Sequence, residues 1–332
     1  MHIGITCTLK DPNLNRTHEP DDLQEEFDSP ETVQALMQVL RSLGHTVTLM
    51  GDGRGLLEQL LAQPPDFVFN FAEGRGVSRS REAWVPSMLE MLGIPFTGSD
   101  PLTLAVTLDK AMAKTIVAAA DVAVPPGITL QPSEPLDAHP ALASLRFPLL
   151  IKPAWEGSSK GIRQKCLVHE PSQLNRIVQE LRQDYRQPLL LESFLPGEEL
   201  TVGVIGNDPP KVLGILRVVP LKPTEHFVYS LEVKRDYIHQ VRYESPPQLP
   251  APILAEVNRQ ALTAYRALGC RDVARIDFRL HDHKPYFLEV NPLPGIHPVT
   301  SDLVILAKAN GWTYERLIST ILQSALQRHG LT

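Results

Sequence analysis

The sequence predicts an α/β fold with more than one domain. Two observations support this prediction, the first for the fold class and the second for the number of domains. Strand-like and helix-like segments alternate over residues 2–92, which is the pattern of a parallel sheet covered by helices. The 332 residues are too many for one ordinary core, so two or three domains are expected. Hydrophobic residues make up 43% of the chain, which is enough to build such cores.

The N-terminal elements follow from hydrophobic periodicity and from helix-capping residues. Ser29-Pro30-Glu31 opens a helix, with serine as N-cap and proline in the first turn, and the helix stops at Gly44. The other predictions are strands over 2–7, 45–50 and 66–70, helices over 55–62 and 83–92, and a polar loop over 11–26.

A first boundary is expected near residue 99, and the pattern then changes. Helices are predicted over 101–107, 109–120, 171–183 and 251–268, and strands near Ile128, around a Gly/Ser turn and over 188–192. Residues after Glu198 read mostly as strands. The polar stretch 220–250 is too long for an idle loop in a compact domain and predicts a lid. A hairpin over 275–295 and two helices end the chain.

Charge and cysteine content exclude several classes of function. The 32 basic and 38 acidic residues give a net charge of −6, so nothing indicates a nucleic acid or an anionic membrane as partner. No apolar run approaches the ~20 residues of a membrane span, and the N-terminus lacks the basic region of a signal peptide. Three widely spaced cysteines predict reduced thiols in a cytoplasmic protein.

The segment KPAWEGSSKG places a lysine, Lys152, at a strand end before a turn of small residues. Gly157, Ser158 and Ser159 let backbone N–H groups approach a phosphate, and Lys152 can reach the same phosphate as a point charge. The alternative is a surface hairpin turn with a solvated lysine. The segment lacks the spacing of a Walker loop.

The segment RIDFRLHDHKPYFLEVNPLPG carries three oxygen-bearing side chains in a hairpin. Glu289 and Asn291 share one face of the second strand, and a turn near residue 283 brings Asp277 across from them. Two carboxylates and an amide oxygen suit Mg²⁺. Arg275 shares the face of Asp277 and could steady a developing negative charge. The alternative is an edge hairpin with salt-bridged surface charges, but the apolar flanks predict burial.

Together these motifs resemble the ATP-grasp superfamily, and within it the D-alanine–D-alanine ligases. The resemblance runs in order from about Gly74 to Leu322 through MLEMLGIPFTGSDPLTLAVTLDKAMAK, LLIKPAWEGSSKGI, LLLESFLPGEELTVGVIG, ARIDFRL and FLEVNPLPGI. It implies three α/β domains with ATP between the central and C-terminal ones. The expected ranges are 1–99 for the substrate side, 100–192 for the central domain with the phosphate loop, and 193–332 for the domain with the Mg²⁺ hairpin.

The resemblance also implies a role for each matching residue. For ATP, it implies phosphate binding by Lys110 and Lys152, a covering loop at Glu156, Gly157, Ser158 and Ser159, adenine at Glu192 and the backbone of Leu195, ribose at Glu199, and a lid lysine at Lys234. For the metal, it implies two Mg²⁺ ions, with Mn²⁺ as the alternative, on Asp277, Glu289 and Asn291. For the reaction intermediates, it implies Arg275, Ser158 and the backbone of Gly295.

The substrate side departs from the family pattern. Glu73 stands where the ligases carry a histidine, Arg235 replaces the lid tyrosine, and an insertion changes the downstream pair to Ser301 and Asp302. An acidic Glu73 or Asp302 would attract an ammonium group. The remaining substrate candidates are Glu25 or Glu26 for the first amino group, and Arg79 and Arg81, together with Arg235, for carboxylates. The alternative for these arginines is a solvated loop face.

The resemblance implies an ATP-dependent carboxylate–amine ligase that works through an acyl phosphate. The two substrates would be amino-acid-like small molecules, either two D-alanines in cell-wall synthesis or another pair. Two further alternatives stay open, namely ATP-grasp phosphotransfer without an amine acceptor and a non-catalytic nucleotide-binding regulator. Homodimers are common in the resembled family, so a homodimer is one state to test.

Overall fold

Three β-sheets organise the chain, described by a computed structural model through residues 1–13 and 19–331. Residues 14–18 of the predicted loop over 11–26 lie outside the described residues, as does residue 332. None of the helices in the described part combines the length and the apolarity that a bilayer crossing requires.

The first sheet is parallel, as the alternation of strands and helices predicts. Its strands are β1 (His2–Cys7), β2 (Thr46–Leu49) and β3 (Phe67–Phe71), in the order β2-β1-β3. Its helices are α1 (Pro30–Ser42), α2 (Gly53–Ala62) and α3 (Trp84–Leu92). The Oγ of Ser29 accepts a hydrogen bond from the Thr32 backbone N–H at 3.2 Å, which confirms the predicted N-cap of α1.

The second sheet is antiparallel and follows two helices. Those helices are α4 (Pro101–Leu108) and α5 (Lys110–Ala119). The strands are β4 (Gly127–Leu130), β5 (Leu149–Pro153), β6 (Leu167–Val168) and β7 (Leu189–Ser193), in the order β4-β7-β5-β6. The amphipathic helix α6 (Pro171–Tyr185) packs five residues, among them Leu174 and Leu181, into the core on this sheet.

The third sheet is also antiparallel and is the largest. Its strands are β8 (Glu198–Ile205), β9 (Lys211–Pro220), β10 (Val241–Glu244), β11 (Val273–His281) and β12 (Lys284–Asn291), in the order β10-β9-β8-β11-β12. Its helices are α7 (Leu231–Arg235), α8 (Tyr237–Gln240), α9 (Ala251–Ala267), α10 (Asp302–Ala309) and α11 (Tyr314–Arg328).

The polar stretch 220–250 is more regular than its composition indicates. Two short helices, α7 and α8, lead into β10, which pairs with β9 at the edge of the third sheet. Tyr229, Val233 and Val241 pack with Val218 of β9 into a small apolar cluster. These few apolar residues fix a segment in which charged and polar residues dominate.

The last two helices share a core with the first sheet. Ile3 and Phe69 of the parallel sheet belong to the same buried cluster as Leu303 of α10 and Leu317 of α11. The C-terminal end of the chain therefore packs against its N-terminal strands. Each predicted range, 1–99, 100–192 and 193–332, contains one sheet except for Ser193, the last residue of β7, and the three-domain division stays a prediction.

Asp272, just before β11, joins distant parts of the chain. Its carboxylate is fully buried, accepts a hydrogen bond from the Gly98 backbone N–H at 2.8 Å, and pairs with Arg328 of α11 at 2.8 Å. The Asn207 side chain donates to the same carboxylate at 2.8 Å. One buried charge thus connects the segment at Gly98, the start of β11 in the third sheet and the C-terminal helix α11.

The substitution Asp272→Asn should destabilise the fold. Asparagine tolerates the positive φ of 66° at this position, but it leaves the Arg328 guanidinium without its counter-charge. We expect a loss of about 3 kcal/mol in the free energy of unfolding, measured by urea denaturation. Asp121→Asn is the matched control, because Asp121 also has a positive φ, at 61°, and is exposed. Equal stability of the two variants would contradict the role of Asp272.

Candidate active site

A cleft of about 750 Å³ lies between the second and third sheets. Apolar side chains form part of its wall, among them Leu150 of β5, Phe194 after β7 and Leu288 of β12. Charged residues from β5, β7, β8, β11 and β12 line it as well, together with Lys234 of α7 and Asp302 of α10. A cleft with both apolar and charged walls can hold an apolar ring at one end and charged groups at the other.

Two lysines converge on one glutamate in this cleft. Glu192 of β7 pairs with Lys114 at 2.8 Å and with Lys152 at 2.7 Å, and all three side chains are buried. Burial opposes ionisation of Glu192, but the two lysines outweigh it and hold the pKa of that carboxyl below its ordinary value. Burial also lowers the pKa of Lys114 to about 8. Lys152 and Glu192 were predicted for the ATP site.

Leu195 and Glu199 line the same cleft. Glu199 of β8 pairs with Arg279 of β11 at 3.0 Å. Arg279 is buried, lies 5.1 Å over the Phe194 ring and donates to the Gly197 carbonyl at 3.1 Å. The arginine therefore fixes both the carboxylate predicted for ribose and the aromatic wall beside it.

The glycine-serine loop is held by the N-terminal segment. Ser158 and Ser159 have positive φ values of 49° and 59°, which turns the chain tightly after β5. The Glu26 carboxylate accepts a hydrogen bond from the Gly157 N–H, and the Asp22 carboxylate accepts one from the Gly161 N–H at 2.9 Å. Asp22 is itself fully buried and also accepts from Tyr185.

Gly161 shows why this loop needs small residues. Its φ is +73°, and a Cβ there would lie 2.4 Å from a ring carbon of Pro153. The sequence indicates this position correctly, but it does not show that acidic residues more than a hundred positions earlier fix the loop.

The carboxylate hairpin brings Asp277 across from the second strand, as the sequence predicts, and a bulge sets its register. Asp277 of β11 lies directly opposite Glu289 of β12, and Arg275 lies opposite Asn291. A bulge follows Asp277, so the alternation of faces changes at that point. The apolar residues beside these groups, Ile276, Phe278, Phe287 and Val290, are 0–4% exposed and hold the hairpin in the core.

Cations neutralise both carboxylates of the hairpin. Arg275 pairs with Asp277 at 2.9 Å, and Lys110 at the start of α5 pairs with Glu289 at 3.1 Å. Burial opposes ionisation of Glu289, yet Lys110 and Arg275 keep its pKa well below the ordinary value. Glu289 is therefore ionised at neutral pH, as a metal ligand must be.

The hairpin supplies oxygen atoms, the type of ligand that a hard cation prefers. The Asn291 amide lies 3.4 Å from the Asp277 carboxylate, so amide and carboxylate are adjacent. Among residues 1–13 and 19–331, no group of three or more His, Cys, Asp or Glu side chains is arranged to hold a metal ion. A cation here would use two carboxylates and an amide oxygen, with phosphate or water completing its shell.

Lys234 of α7 lines the cleft between the second and third sheets. Its Nζ lies 5.1 Å over the Tyr229 ring. The Tyr229 hydroxyl donates to Asp302 at 3.2 Å, and Asp302 lies 3.6 Å from Arg275. The lid lysine, the aromatic ring and Asp302 therefore lie on the same side of the hairpin. This places Asp302 at the cleft between the second and third sheets.

A second cavity, of about 670 Å³, opens on the other side of Glu289. Its boundary with the first cavity is the hairpin, since Glu289 lines both. Five further carboxyl groups line it, and they come from the N-terminal segment, the loop after β3 and the phosphate loop: Glu26, Asp28, Glu73, Glu82 and Glu156. Lys110, Arg275 and Gly295 also line it.

Arg81 neutralises two of these five carboxyl groups. Its side chain is 1% exposed and pairs with Glu26 at 2.8 Å and with Glu156 at 3.2 Å. Lys160 adds a second cation to Glu156 at 2.6 Å. Arg81 therefore lies neither free in the cavity nor on a solvated loop face, the two positions considered from the sequence. Its positive charge is balanced within the protein by the carboxylates of Glu26 and Glu156.

The other three carboxyl groups have raised pKa values. Burial raises the pKa of Glu82 to about 8, with the charges of Glu26 and Glu156 adding to the effect and Arg81 opposing it. Burial raises the pKa of Asp28 to about 7. Burial and the charges of Glu82, Glu26 and Asp28 raise the pKa of Glu73 well above its ordinary value.

The remaining substrate candidates lie in different places. Arg235 pairs with Asp21 and with Glu25, each at 2.7 Å, so two predicted substrate groups bind each other at the surface. Arg79 is mostly exposed and lies 3.7 Å from Asp109. Ser301 accepts a hydrogen bond from the His297 N–H at 2.8 Å, and a Cβ at Gly295 would lie 2.9 Å from its hydroxyl.

Comparison with known proteins identifies the family. The family model of the D-ala D-ala ligase C-terminus matches residues 116–323, more than half of the chain. The chain belongs to the D-alanine–D-alanine ligase family. This is a family of ATP-dependent ligases that form C–N bonds, with the ATP-grasp fold.

Individual relatives agree with this assignment. The D-alanine–D-alanine ligase of Synechococcus sp. (strain JA-3-3Ab) is 33% identical over 91% of this chain and 90% of its own length. An uncharacterized protein of Sinorhizobium fredii, y4sG, is also 33% identical, over 99% of this chain and 98% of its own. The D-alanine–D-alanine ligase of Bacillus anthracis, solved in complex with ATP, superposes with a TM-score of 0.75 and 24% identity over 100% of this chain and 99% of that one.

Several buried groups of this D-alanine–D-alanine ligase family member escape prediction from the sequence. Lys114 had a signal, because it stands four residues after Lys110 and so faces the same way on α5. Arg279, Glu82 and Asp22 had none, since each acquires its role from residues far away in sequence. Long-range ion pairs leave no periodic trace in a sequence.

The substitution Glu82→Gln should change how the stability of this family member depends on pH. The folded-state pKa of about 8 exceeds the ordinary 4.5, so the folded protein binds more protons between these values. The contribution of Glu82 to stability is therefore present at low pH and is lost as the pH rises toward 8. Relative to the variant, the wild-type free energy of unfolding should fall by up to about 1.4 kcal/mol per pH unit between about pH 5 and pH 8.

Urea denaturation at several pH values measures this difference. Glu90→Gln is the control, because Glu90 is exposed on α3 and its variant should follow the wild type at every pH. A constant difference between wild type and Glu82→Gln across this range would contradict the raised pKa.

Proposed function

We propose that this protein is an ATP-dependent ligase that joins a carboxylate to an amine, with ADP and phosphate as the other products. One observation carries the proposal. Glu289 lines both the cleft with the lysine-bound glutamate and the acidic cavity, so the hairpin separates a nucleotide site from a substrate site. A phosphate at the hairpin would be within reach of both.

The nucleotide would occupy the cleft between the second and third sheets. The backbone of Leu195 and the side chain of Glu192 would hold adenine, and Glu199 would hold ribose. Lys152, Lys110 and Lys234, with the loop from Glu156 to Ser159, would surround the phosphates. The ligase of Bacillus anthracis, solved with ATP, has the same fold as this chain, which supports ATP as the nucleotide.

Magnesium would bind at the hairpin. Asp277, Glu289 and Asn291 supply the oxygen ligands that Mg²⁺ prefers, and Mn²⁺ would fit the same set. When bound, the ions would neutralise charge on the phosphates and orient them. Arg275 and Lys110 now balance these carboxylates, so they would be free to turn toward phosphate or substrate when the metal is bound.

The reaction would proceed in two displacements. A substrate carboxylate oxygen attacks the γ-phosphorus of ATP, the bond from that phosphorus to the bridging oxygen breaks, and ADP leaves. The neutral amine of the second substrate then attacks the acyl carbon, the C–O bond to phosphate breaks, and an amide forms. Arg275, Ser158 and the Gly295 backbone N–H would stabilise the negative charge that develops on oxygen.

The substrates would be amino acids or similar small molecules. Arg275 would orient a carboxylate, and the acidic groups of the second cavity, above all Glu73, would attract an ammonium group. Ser301 lies beside Gly295 and would contact the acceptor. The pair is either two D-alanines, as in the named relatives, or another amino acid pair.

The substitution Asp277→Asn should abolish most of the activity without unfolding the protein. It removes a carboxylate from the hairpin while keeping its shape, so we expect phosphate release from ATP to fall by roughly 100-fold or more. Asp282→Asn is the matched control, because Asp282 is 90% exposed in the turn of the same hairpin. Phosphate release by both variants at the wild-type rate would contradict the metal role of the hairpin.

Product analysis separates the ligase from the other ATP-grasp chemistries. Protein, Mg-ATP and single or paired D- and L-amino acids should yield ADP, phosphate and an amide in equal amounts, detected by mass spectrometry. A phosphorylated product without an amide would indicate phosphotransfer. Nucleotide binding with neither product for any pair would favour a regulator.

A homodimer and a cytoplasmic location belong to the same proposal. Both come from the sequence, the first through the resemblance and the second through the reduced cysteines, which are buried and free in the structure. Sedimentation of the purified chain measures the oligomeric state directly.

A further inference from the structure

The substrate cavity holds three carboxyl groups to which the part of the chain described by the structure, residues 1–13 and 19–331, supplies no cation. Among the described residues, Asp28, Glu73 and Glu82 form no ion pair, and their side chains accept no hydrogen bond, although all three line the cavity. The nearby cations are already engaged, Arg81 with Glu26 and Lys110 with Glu289.

Glu82 is the most informative of the three. Its side chain is only 7% exposed, and it faces the cavity in the turn just before α3. A buried carboxyl without a partner is costly, and this one also lies near two other acids. Burial, together with the charges of the nearby acids, raises its pKa to about 8.

Alanine offers these acids only its α-ammonium group. The alanine side chain is a methyl group, which neither donates a hydrogen bond nor carries charge. Its single ammonium group is balanced by its own carboxylate, so the amino acid brings no net charge into a cavity with an excess of acids. An amino acid with a second cationic group brings one positive charge in excess.

We propose that one amino acid substrate of this site carries an ammonium or guanidinium group on its side chain, and that this group pairs with Glu82 and Glu73. This inference rests on the proposed ligase function and specifies the class of its substrate. Charge-assisted hydrogen bonds from the cation would satisfy the carboxyl oxygens that now lack donors. Asp28, at the same cavity, would add a third negative charge when ionised.

Such a substrate also fits the rest of the cavity. The α-carboxylate would face Arg275 and Lys110 at the hairpin, where phosphoryl transfer takes place. The side-chain cation would lie toward the loop after β3, which contains Glu73 and ends at Glu82. With metal ions on Asp277 and Glu289, Arg275 and Lys110 would give the cavity a cationic end opposite its acidic end. The two ends would match an amino acid with a carboxylate at one end and a cation at the other.

Calorimetric binding of amino acids to the full chain in the presence of Mg-ADP tests this inference. The probes are D- and L-lysine, ornithine and arginine, compared with norleucine, which has the lysine chain without its ammonium group, and with alanine. At least one cationic amino acid should bind tenfold or more tightly than norleucine. Glu82→Gln should remove most of this preference and leave norleucine unchanged, whereas the exposed control Glu90→Gln should keep the preference.

The inference would be overturned if norleucine or alanine bound as tightly as the cationic amino acids or more tightly. It would also be overturned if the preference for cationic amino acids survived Glu82→Gln, or if none of the probes bound. Mass spectrometry of complete reactions keeps this result separate from the proposed function. An amide made from alanine but from no cationic amino acid would leave the ligase standing and overturn the inference. Cationic amino acids that bind through Glu82 but yield no amide would support the inference and count against the ligase.

Discussion

The site depends on one constraint, that a buried carboxylate needs a cation beside it. Three such pairings build the site: Arg275 and Lys110 with the hairpin, Lys114 and Lys152 with Glu192, and Arg81 with Glu26 and Glu156. Each offsets part of the cost of a buried charge and at the same time fixes two side chains in position. The hairpin, the nucleotide cleft and the phosphate loop are positioned by the same kind of contact.

These pairings also connect parts of the chain that local structure leaves separate. Arg81 follows the first sheet, Glu156 follows a strand of the second, and Glu26 comes from the N-terminal segment. Asp272 joins α11 to Gly98 in the same manner. A ligand that brings metal ions and phosphates into the site would redistribute these charges, because the lysines and arginines would then have new partners.

The balance of charge differs between the two cavities. Every carboxylate predicted for nucleotide or metal has a cation within the protein, which suits a site that exchanges these cations for phosphate and Mg²⁺. In the substrate cavity, by contrast, Glu82 and Glu73 have no ion-pair partner among the residues that the structure describes. An enzyme that tolerates this cost at one place is expected to recover it when a substrate binds there.

The sequence by itself determined the parallel first sheet, the hairpin that brings Asp277 across from the second strand, and the family, because these follow from local periodicity and ordered motifs. The bulge that sets Asp277 opposite Glu289 was decided by the tertiary structure. Only the tertiary structure decided that Arg81 is buried in an ion-pair network and that Glu25 and Arg235 bind each other. It also decided which acids lack an ion-pair partner within the described residues 1–13 and 19–331. The physical reason is that an ion pair depends on the distance between charges in space, and charges brought together by folding are far apart along the chain.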